Sequence, residues 1–457
     1  MNMKLHIYAM LRDYGRRCPL RMHMPGHKAN GRRFPLFRDA ALDITELPFS
    51  DCLESPDGAI ARAQEDVADA LGAAKSYFLT DGSSCGVYAM LYVAKRRGGK
   101  VIIARNSHKS VYNACAVLGI EPVILKNNEK DGILLPPGAA DIESALKKEK
   151  DVCAVLLTSP DYYGNIADYA AVRKVCDRYG KLLLVDGAHG AYLRFDPDGA
   201  GLYAGEYADI WVDGSHKTMP TLTQGALLNV RDAAFAGDAE EGLDLFRTTS
   251  PSYPVMASIE YGVKYMQEFG AGLIDSVRRE LTFVRARLAK RGIAFYADSK
   301  TLLLAVDFGG MGISPQLARE ELERRRVFAE MDDGRYLLFY FSPLTQPREI
   351  AALERKIRQV IRLKTLKNTA EPRGEYICGV KKFGYLTSRS VACERVPLSM
   401  AAGRIAARNA GITPPCYPVV VAGEQITPEA AEALIRAKHT FGVNGGTIAV
   451  MNIGGRS

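Results

Sequence analysis

The feature that most constrains the fold is a series of short, continuous apolar segments separated by amphipathic helical patterns. Strands that are apolar throughout and alternate with helices form a largely parallel sheet covered on both faces. The sequence therefore predicts an α/β fold, in which ligands lie beyond the carboxyl ends of the strands. The predicted strands are residues 77–79, 101–103, 122–125, 152–157, 182–185 and 210–212.

The length of 457 residues predicts more than one domain. Residues 1–50 look irregular and Arg-rich, and we expect them to form an N-terminal arm that lies on another surface. Residues 51–270 are predicted to form a large cofactor-binding domain, and residues 271–365 a smaller α+β domain. After a polar linker that begins near residue 364, residues 374–457 are predicted to form a C-terminal domain.

Composition argues against several classes of protein. The net charge of +8 is spread along the chain without a basic block, so no nucleic-acid partner is expected. Nine cysteines are scattered without metal-ligand spacing, so no metal site is predicted. The start lacks the apolar core of a signal peptide, and no apolar run approaches membrane-spanning length. We therefore expect a cytoplasmic protein that has no contact with membranes.

A Gly/Ser turn follows the predicted strand at 77–79. Residues 81–86 read Asp-Gly-Ser-Ser-Cys-Gly and precede a helical pattern. Free backbone N–H groups and the dipole at a helix N-terminus bind phosphate, which makes Gly82, Ser83 and Ser84 candidate phosphate ligands. An ordinary turn with a serine cap is the alternative that this motif alone leaves open.

Two further strand ends carry groups that suit an aromatic ring. His108, after the strand at 101–103, could stack on a pyridine ring or simply cap the next helix. Asp186, after the strand at 182–185, could pair with a pyridinium nitrogen, and Ala188 is small enough for a flat ring to lie against it. A common Asp-Gly turn is the alternative for Asp186.

The fourth motif contains a lysine that could carry a cofactor. Residues 213–218 read Asp-Gly-Ser-His-Lys-Thr and follow the strand at 210–212. The Lys217 amine could form a Schiff base while Ser215 and His216 hold a phosphate. Alone this motif is weak, because Ser-His-Lys after a strand is usually a solvated turn. Four such motifs in this order predict a site for pyridoxal 5'-phosphate (PLP).

With these motifs the chain resembles the Orn/Lys/Arg decarboxylase family of fold-type-I PLP enzymes, in its short bacterial form. The resemblance covers nearly the whole chain. Besides the four motifs it rests on residues 22–28 (Met-His-Met-Pro-Gly-His-Lys), 43–47 (Asp-Ile-Thr-Glu-Leu), 158–164 (Thr-Ser-Pro-Asp-Tyr-Tyr-Gly), 248–254 (Thr-Thr-Ser-Pro-Ser-Tyr-Pro) and 423–424 (Gly-Glu).

The resemblance implies an aspartate-aminotransferase-like fold with active sites at a dimer interface, and so a homodimer or a higher homo-oligomer. It implies that Lys217 forms the Schiff base, that Asp186 holds the ring nitrogen and that His108 stacks on the ring. His189 is expected near the ring or the substrate carboxylate. The phosphate ligands that it implies are Ser83, Ser84, Ser215 and His216, with Thr248 reaching the phosphate of the neighbouring subunit.

Several positions depart from the family pattern without removing a residue that PLP chemistry requires. They put the identity of the substrate in doubt. These positions are Ser84 and Val87 in the phosphate turn, Gly187, Asp161, Cys416 and Ala422.

The sequence thus predicts a PLP-dependent decarboxylase of lysine, arginine or ornithine. Its product would be an amine of polyamine biosynthesis. Asp186 would stabilise the charge that enters the ring. A cationic substrate tail needs an acidic partner, for which Glu424 is the candidate. One alternative is another fold-type-I reaction, such as transamination or aldol-type cleavage, because the bond that is cleaved depends on the substrate pose. The other is a non-catalytic PLP-binding regulator, which the departures from the family pattern motivate and the intact Lys217 and Asp186 argue against.

Overall fold

The computed structural model describes residues 4–17, 39–296, 301–367, 369 and 379–452. The segment 22–28, which contributes to the family resemblance, lies outside the described residues. The helices are α1 (His6–Arg17), α2 (Ala59–Leu71), α3 (Ser83–Arg96), α4 (Lys109–Leu118), α5 (Ala139–Lys148), α6 (Tyr169–Tyr179), α7 (Ser215–Thr218), α8 (Ala236–Phe246), α9 (Tyr253–Ala289), α10 (Pro315–Arg324), α11 (Pro347–Ile361), α12 (Tyr385–Ser390) and α13 (Pro428–Arg436).

The strands are numbered in the same way along the chain. They are β1 (Lys75–Leu79), β2 (Lys100–Ala104), β3 (Pro122–Leu125), β4 (Glu129–Lys130), β5 (Ile133–Leu134), β6 (Val152–Thr158), β7 (Leu182–Gly187), β8 (Ile210–Asp213), β9 (Ala226–Val230), β10 (Leu303–Asp307), β11 (Met331–Asp332), β12 (Tyr336–Tyr340), β13 (Val380–Lys381), β14 (Cys393–Pro397), β15 (Ala410–Ile412), β16 (Pro418–Val420), β17 (Glu424–Gln425), β18 (Thr440–Phe441), β19 (Val443–Asn444) and β20 (Thr447–Met451).

A seven-stranded sheet with the order β1-β9-β8-β7-β6-β2-β3 forms the main layer. The pairs β2–β3, β2–β6 and β7–β8 are parallel, as expected for strands joined through helices. All the strands that the sequence predicts for this sheet are present, and the α/β fold class is confirmed.

The sequence analysis missed β9, which pairs antiparallel with both β1 and β8. Only the short helix α7 and a loop separate β8 from β9. A parallel connection needs a longer crossover, usually a full helix, so this strand can return only in the antiparallel direction.

The chain divides into two compact units. The first consists of Met1–Arg96, Leu183–Arg279 and Phe341–Pro347, and the second of Arg97–Leu182, Glu280–Tyr340 and Arg348–Ser457. The domain boundaries drawn from the sequence stay predictions.

In the first unit, the prediction that residues 1–50 are irregular is wrong for α1. Ile7 and Leu11 are fully buried, and Tyr14 continues the same helical face. The backbone N–H groups of His6 and Ile7 donate hydrogen bonds to the buried carboxylate of Glu260 in α9. Three apolar residues at helical spacing were the signal for this helix, and the high Arg content of the segment obscured it.

The second unit contains the small sheets of the predicted α+β and C-terminal segments. Strands β10, β12 and β11 form one antiparallel sheet, whereas β14-β20-β19 and β16-β15-β18 form two more. The last two enclose a core that includes Ala406, Val420, Ile426 and Val450. Among the described residues, no helix is long and apolar enough to cross a membrane.

Candidate active site

Three strand ends of the first unit meet beside Gly214. A Cβ atom placed on Gly214 would lie 2.4 Å from the Ala188 carbonyl oxygen and 3.0 Å from Ser83 Oγ. A Cβ atom cannot lie 2.4 Å from a carbonyl oxygen, so only glycine at position 214 lets the backbone come this close to Ala188. The turn after β1, the end of β7 and the lysine motif after β8 are therefore adjacent, as the sequence predicts for three of its four motifs.

Lys217 lies in the short helix α7, directly after β8. Its side chain is exposed, and its Nζ atom lies 3.0 Å from Nε2 of His189. The contact puts a proton acceptor beside the amine, because a neutral imidazole nitrogen can accept a hydrogen bond from an ammonium group. The structure thus brings together the predicted lysine and the predicted His189.

Asp186 is a buried carboxylate at the carboxyl end of β7, with only 4% of its surface exposed. Burial raises the pKa of Asp186, whereas the charge of Lys217 and the backbone N–H of Ala188, 3.3 Å from Oδ1, act in the opposite direction. A buried carboxylate that is stabilised by a neighbouring cation suits the predicted pairing with a protonated ring nitrogen.

Ser215 and His216 are both fixed by the carbonyl of Gly225, just before β9. This oxygen accepts hydrogen bonds from Ser215 Oγ at 2.8 Å, from His216 N at 3.0 Å and from His216 Nδ1 at 2.9 Å. Burial lowers the pKa of His216, so the neutral ring carries its proton on Nδ1 and leaves Nε2 as an acceptor. Both residues are at the site, but a phosphate bound to His216 would require the charged imidazolium.

The predicted phosphate turn leads into the N-terminus of α3. Ser83 Oγ is buried, and no hydrogen-bond partner lies near it in the part of the chain that the structure describes. Ser84 is exposed, and Gly82 adopts a φ of +76°. Because buried hydroxyl groups are normally paired, an orphaned one at a helix N-terminus suits an anion.

Gly86, near the start of α3, contributes to the site by its lack of a side chain, a role that was not predicted from the sequence. A Cβ atom on Gly86 would lie 2.7 Å from Leu79 Cδ1 and 3.0 Å from Val212 Cγ2. Glycine therefore lets α3 pack closely on β1 and β8, which fixes the start of the helix beside the lysine motif.

Thr248 lies beside the phosphate turn of its own chain. Its backbone N–H donates to Asp81 Oδ2 at 3.0 Å, and its Oγ1 accepts from the Ser250 N–H at 3.2 Å. These two hydrogen bonds fix Thr248 within its own chain. Its contact with the phosphate of a neighbouring subunit stays a prediction.

In the second unit, His108 is the N-cap of α4. Its Nδ1 atom accepts from the Ser110 N–H at 3.2 Å and lies 2.8 Å from Ser110 Oγ. The capping role that the sequence left open is therefore present, and ring stacking stays a prediction.

Glu424, also in the second unit, is buried and already paired. Its Oε2 atom lies 3.0 Å from Arg105 Nη2 and accepts a hydrogen bond from the Val421 N–H at 2.8 Å. Burial raises the pKa of Glu424, and the charge of Arg105 opposes this effect. Because the charge has an internal partner, the geometry favours a structural role over the predicted contact with a substrate tail.

The residues around Lys217 fit PLP on the features given above: an orphaned hydroxyl at a helix N-terminus, a buried carboxylate and an exposed lysine amine. Comparison with known proteins agrees with this reading. Residues 6–304 match the major domain of the Orn/Lys/Arg decarboxylases, and residues 385–440 match the C-terminal domain of the same family.

Relatives extend over most of the chain. The uncharacterized protein YaaO of Bacillus subtilis (strain 168) is 31% identical and aligns with 95% of this chain and 94% of its own length. The arginine decarboxylase of the same organism is 27% identical, over 93% of this chain and 91% of its own. The lysine decarboxylase LdcF of Francisella novicida has a similar fold, with a TM-score of 0.81 and 16% identity over 98% of this chain and 81% of its own.

The match to the major domain spans well over half of the sequence, and the C-terminal match follows in the expected order. The chain therefore belongs to the Orn/Lys/Arg decarboxylase family and is a PLP-dependent carboxy-lyase that acts on a basic amino acid.

Proposed function

We propose that the substrate is arginine, which would be converted to agmatine and CO2, and that Lys217 is the lysine that holds PLP. Relatives that are named arginine decarboxylases align with more than nine tenths of this chain, which supports arginine over lysine and ornithine. The observation that carries the assignment of Lys217 is its exposed amine, 3.0 Å from His189 Nε2 and electrostatically coupled to the buried Asp186.

His189 and Asp186 would control protons at two different atoms. A proton that leaves Lys217 Nζ can be accepted by His189 Nε2, which frees the amine lone pair for attachment to a carbonyl carbon. Asp186 would keep the pyridine nitrogen protonated. PLP, when it is bound, supplies the electron sink for the carbon–carbon bond that breaks. The carboxylate is placed before the reaction begins, so little reorganisation is needed as charge develops.

The phosphate of the cofactor would be held by Ser83 and Ser84 at the start of α3 and by His216. Ser83 contributes the orphaned hydroxyl, and the first N–H groups of α3 contribute further donors. Phosphate would also favour the imidazolium form of His216, because a nearby anion opposes the effect of burial on its pKa. Ser215 would contribute only if its hydroxyl turned away from Gly225.

The direct test is to incubate the purified protein and PLP with arginine, lysine or ornithine and to measure CO2 and amine. Arginine should give agmatine and CO2 in equal amounts at the highest kcat/KM. A keto acid in place of CO2 would indicate transamination, and no product from any of the three would favour a regulator. Preference for lysine or ornithine would overturn the choice of substrate alone.

We also propose a homodimer in which Thr248 contacts the phosphate bound by the partner, and a cytoplasmic location. The family resemblance supports the dimer, whereas the bond from Thr248 N to Asp81 supports the opposing view that Thr248 acts within its own chain. The cysteines in the described part of the chain form no disulfide bonds, which suits a reducing compartment.

Mixing Lys217→Ala with Thr248→Ala distinguishes the two views of Thr248. If Thr248 acts across the interface, a hybrid dimer regains one site free of both changes, and activity returns. Thr248→Ala alone must be clearly impaired, and subunit exchange must be verified by mass measurement. Verified exchange without recovery would show that Thr248 acts within its own chain.

A further inference from the structure

A buried polar cluster lies beneath the lysine motif, around Asp213, the last residue of β8. Asp213 Oδ2 accepts hydrogen bonds from Tyr203 Oη at 2.8 Å, Trp211 Nε1 at 3.0 Å and Asn229 Nδ2 at 3.0 Å. Each of these four side chains is at most 1% exposed. Three donors on one buried oxygen form a charge-assisted hydrogen-bond cluster.

The cluster extends across three neighbouring strands. Asn229 lies in β9, and its Oδ1 atom accepts from Ser76 Oγ in β1 at 2.7 Å. Ser76 and Asn229 are directly opposite each other in the antiparallel pair, as are Trp211 and Asn229. Because a carboxylate oxygen only accepts hydrogen bonds, the Asn229 NH2 group points at Asp213 and its Oδ1 atom at the Ser76 hydroxyl.

These same strands carry the groups proposed to hold PLP. β1 leads into the turn with Ser83, and β8 leads through Gly214 into Lys217. The carbonyl of Gly225, just before β9, fixes both Ser215 and His216. The cluster thus connects the strands at the point from which the phosphate turn and the lysine motif depart.

The other oxygen of Asp213 differs from Oδ2. Within the described residues, Asp213 Oδ1 is buried and has no hydrogen-bond partner. A carboxylate that served only packing would gain from a second partner, since leaving a buried acceptor unpaired costs stability. All three donors bind Oδ2, so the carboxylate holds three side chains at one point although its Oδ1 atom has no partner in the described part of the chain.

We propose that Asp213 is a positioning residue for the cofactor lysine: its carboxylate draws Tyr203, Trp211 and Asn229 together and so sets the position of the Lys217 motif relative to the phosphate turn. The inference deepens the proposed function and rests on the assignment of Lys217. Asp213 does not itself contact cofactor or substrate.

The charge on Asp213 changes near neutral pH. Burial raises its pKa to about 7, and the three hydrogen bonds oppose this effect. The titratable group that faces it is Tyr203, whose pKa is raised by burial and by Asp213, and Arg194 lies near Tyr203. Trp211 is the single tryptophan of the chain, so its fluorescence reports the ionisation of the carboxyl that it contacts.

The test uses Asp213→Asn, with Glu260→Gln as the matched control. Glu260 is another buried carboxylate of the first unit, and burial raises its pKa to about 7 as well, but it binds the N-terminus of α1. In the PLP-free protein, tryptophan emission should change with a midpoint near pH 7 in the wild type and in Glu260→Gln, and not in Asp213→Asn. A transition of the same size in Asp213→Asn would overturn the inference, because the emission would then not report the contact between Asp213 and Trp211.

The second readout is cofactor affinity, measured at pH 8 by titrating PLP into the PLP-free protein. Asp213→Asn should bind PLP roughly tenfold more weakly, because one charge-assisted cluster is lost, while Glu260→Gln binds as the wild type does. Wild-type affinity in Asp213→Asn would overturn the inference. If Asp213→Asn fails to fold, Tyr203→Phe, which removes one donor, should weaken PLP binding to a smaller extent, and unchanged affinity there would equally refute it.

Failure of the proposed function is recognised separately. If borohydride still traps PLP on the protein after Lys217→Ala, the lysine assignment is wrong, whatever the Asp213 variants show. If trapping is lost in Lys217→Ala and Asp213→Asn binds PLP normally, only the positioning role is wrong.

Discussion

The region around Lys217 and the region around Glu424 both contain buried carboxylates near the ends of sheet strands. The two regions differ in whether their buried oxygen atoms have hydrogen-bond partners. Near Lys217, two buried oxygens, Ser83 Oγ and Asp213 Oδ1, have no partner within the described residues. The Glu424 carboxylate, in contrast, forms an ion pair with Arg105 and accepts a hydrogen bond from the Val421 N–H.

The difference separates a site that can take a ligand from a structural contact. Buried polar groups are normally paired, so the Ser83 hydroxyl at the start of α3 is available to a ligand, whereas the Glu424 carboxylate already has internal partners. Burial alone did not distinguish the two regions, because Asp186 and Glu424 are both buried acids with raised pKa values.

The largest effect is expected for Lys217→Ala, which should abolish turnover and the borohydride-trapped PLP adduct. The reason is that the Lys217 amine is exposed and lies 3.0 Å from Nε2 of His189. Lys264→Ala, which removes a lysine of the same unit that pairs with Asp66 at 2.8 Å, should retain both. Trapped PLP in Lys217→Ala would place the cofactor elsewhere.

Glu424→Gln should destabilise the protein strongly. Removing one partner of a buried ion pair leaves the other charge uncompensated, which typically costs about 3–5 kcal/mol in the free energy of unfolding. Chemical denaturation measures the loss, and the double variant Arg105→Met/Glu424→Leu should recover much of it. A raised KM for arginine with unchanged stability would instead support the substrate contact predicted from the sequence.

Asp186→Asn should retain PLP but lose activity by roughly a hundred- to a thousandfold in kcat, the typical effect of removing one preorganised electrostatic group. The amide preserves the shape of the side chain and removes the charge. Steady-state kinetics with PLP content measured in parallel would check this result. Nearly normal turnover would mean that Asp186 is only a turn residue and that the contrast with Glu424 has no functional meaning.

The smallest effect is expected at Asp51, a carboxylate saturated with backbone donors. Its oxygens accept N–H bonds from Cys52, Asp57, Gly58 and Ile60 at 2.7–3.0 Å. Burial raises its pKa, but these bonds outweigh burial, and the pKa lies below the usual value of 3.8. Asp51→Asn should cost about 1–2 kcal/mol, as the loss of a helix cap does, without changing PLP affinity.

The sign of the pH dependence at Asp51 follows from the lowered pKa. The stabilisation is fully present above pH 3.8 and is lost as the pH falls below that value, because the unfolded state then binds the proton more readily. Denaturation midpoints of the wild type and Asp51→Asn should therefore converge in acid. A difference that persists unchanged at pH 2 would indicate that packing, and not charge, explains the variant.

The predictions from sequence succeeded where local pattern and structure coincide. The strand predicted at 152–157 is β6, and the strand predicted at 210–212 is β8. The three motifs of the first unit could be expected to converge, since the carboxyl ends of parallel strands lie on one edge of a sheet. The helix α1 was missed because a strongly charged segment obscured a narrow apolar face.

The α/β class and the family could be predicted from the sequence, and Lys217 could be named as a candidate, because apolar periodicity and motif order are local properties of the chain. The pairing of Glu424 with Arg105, the antiparallel position of β9 between β1 and β8, and the hydrogen bonds to Asp213 from Tyr203, Trp211 and Asn229 appear only in the folded chain. These facts depend on residues distant in sequence. Whether a buried carboxylate meets a cation, several donors or an empty position is set by which strands become neighbours, and no local pattern encodes that.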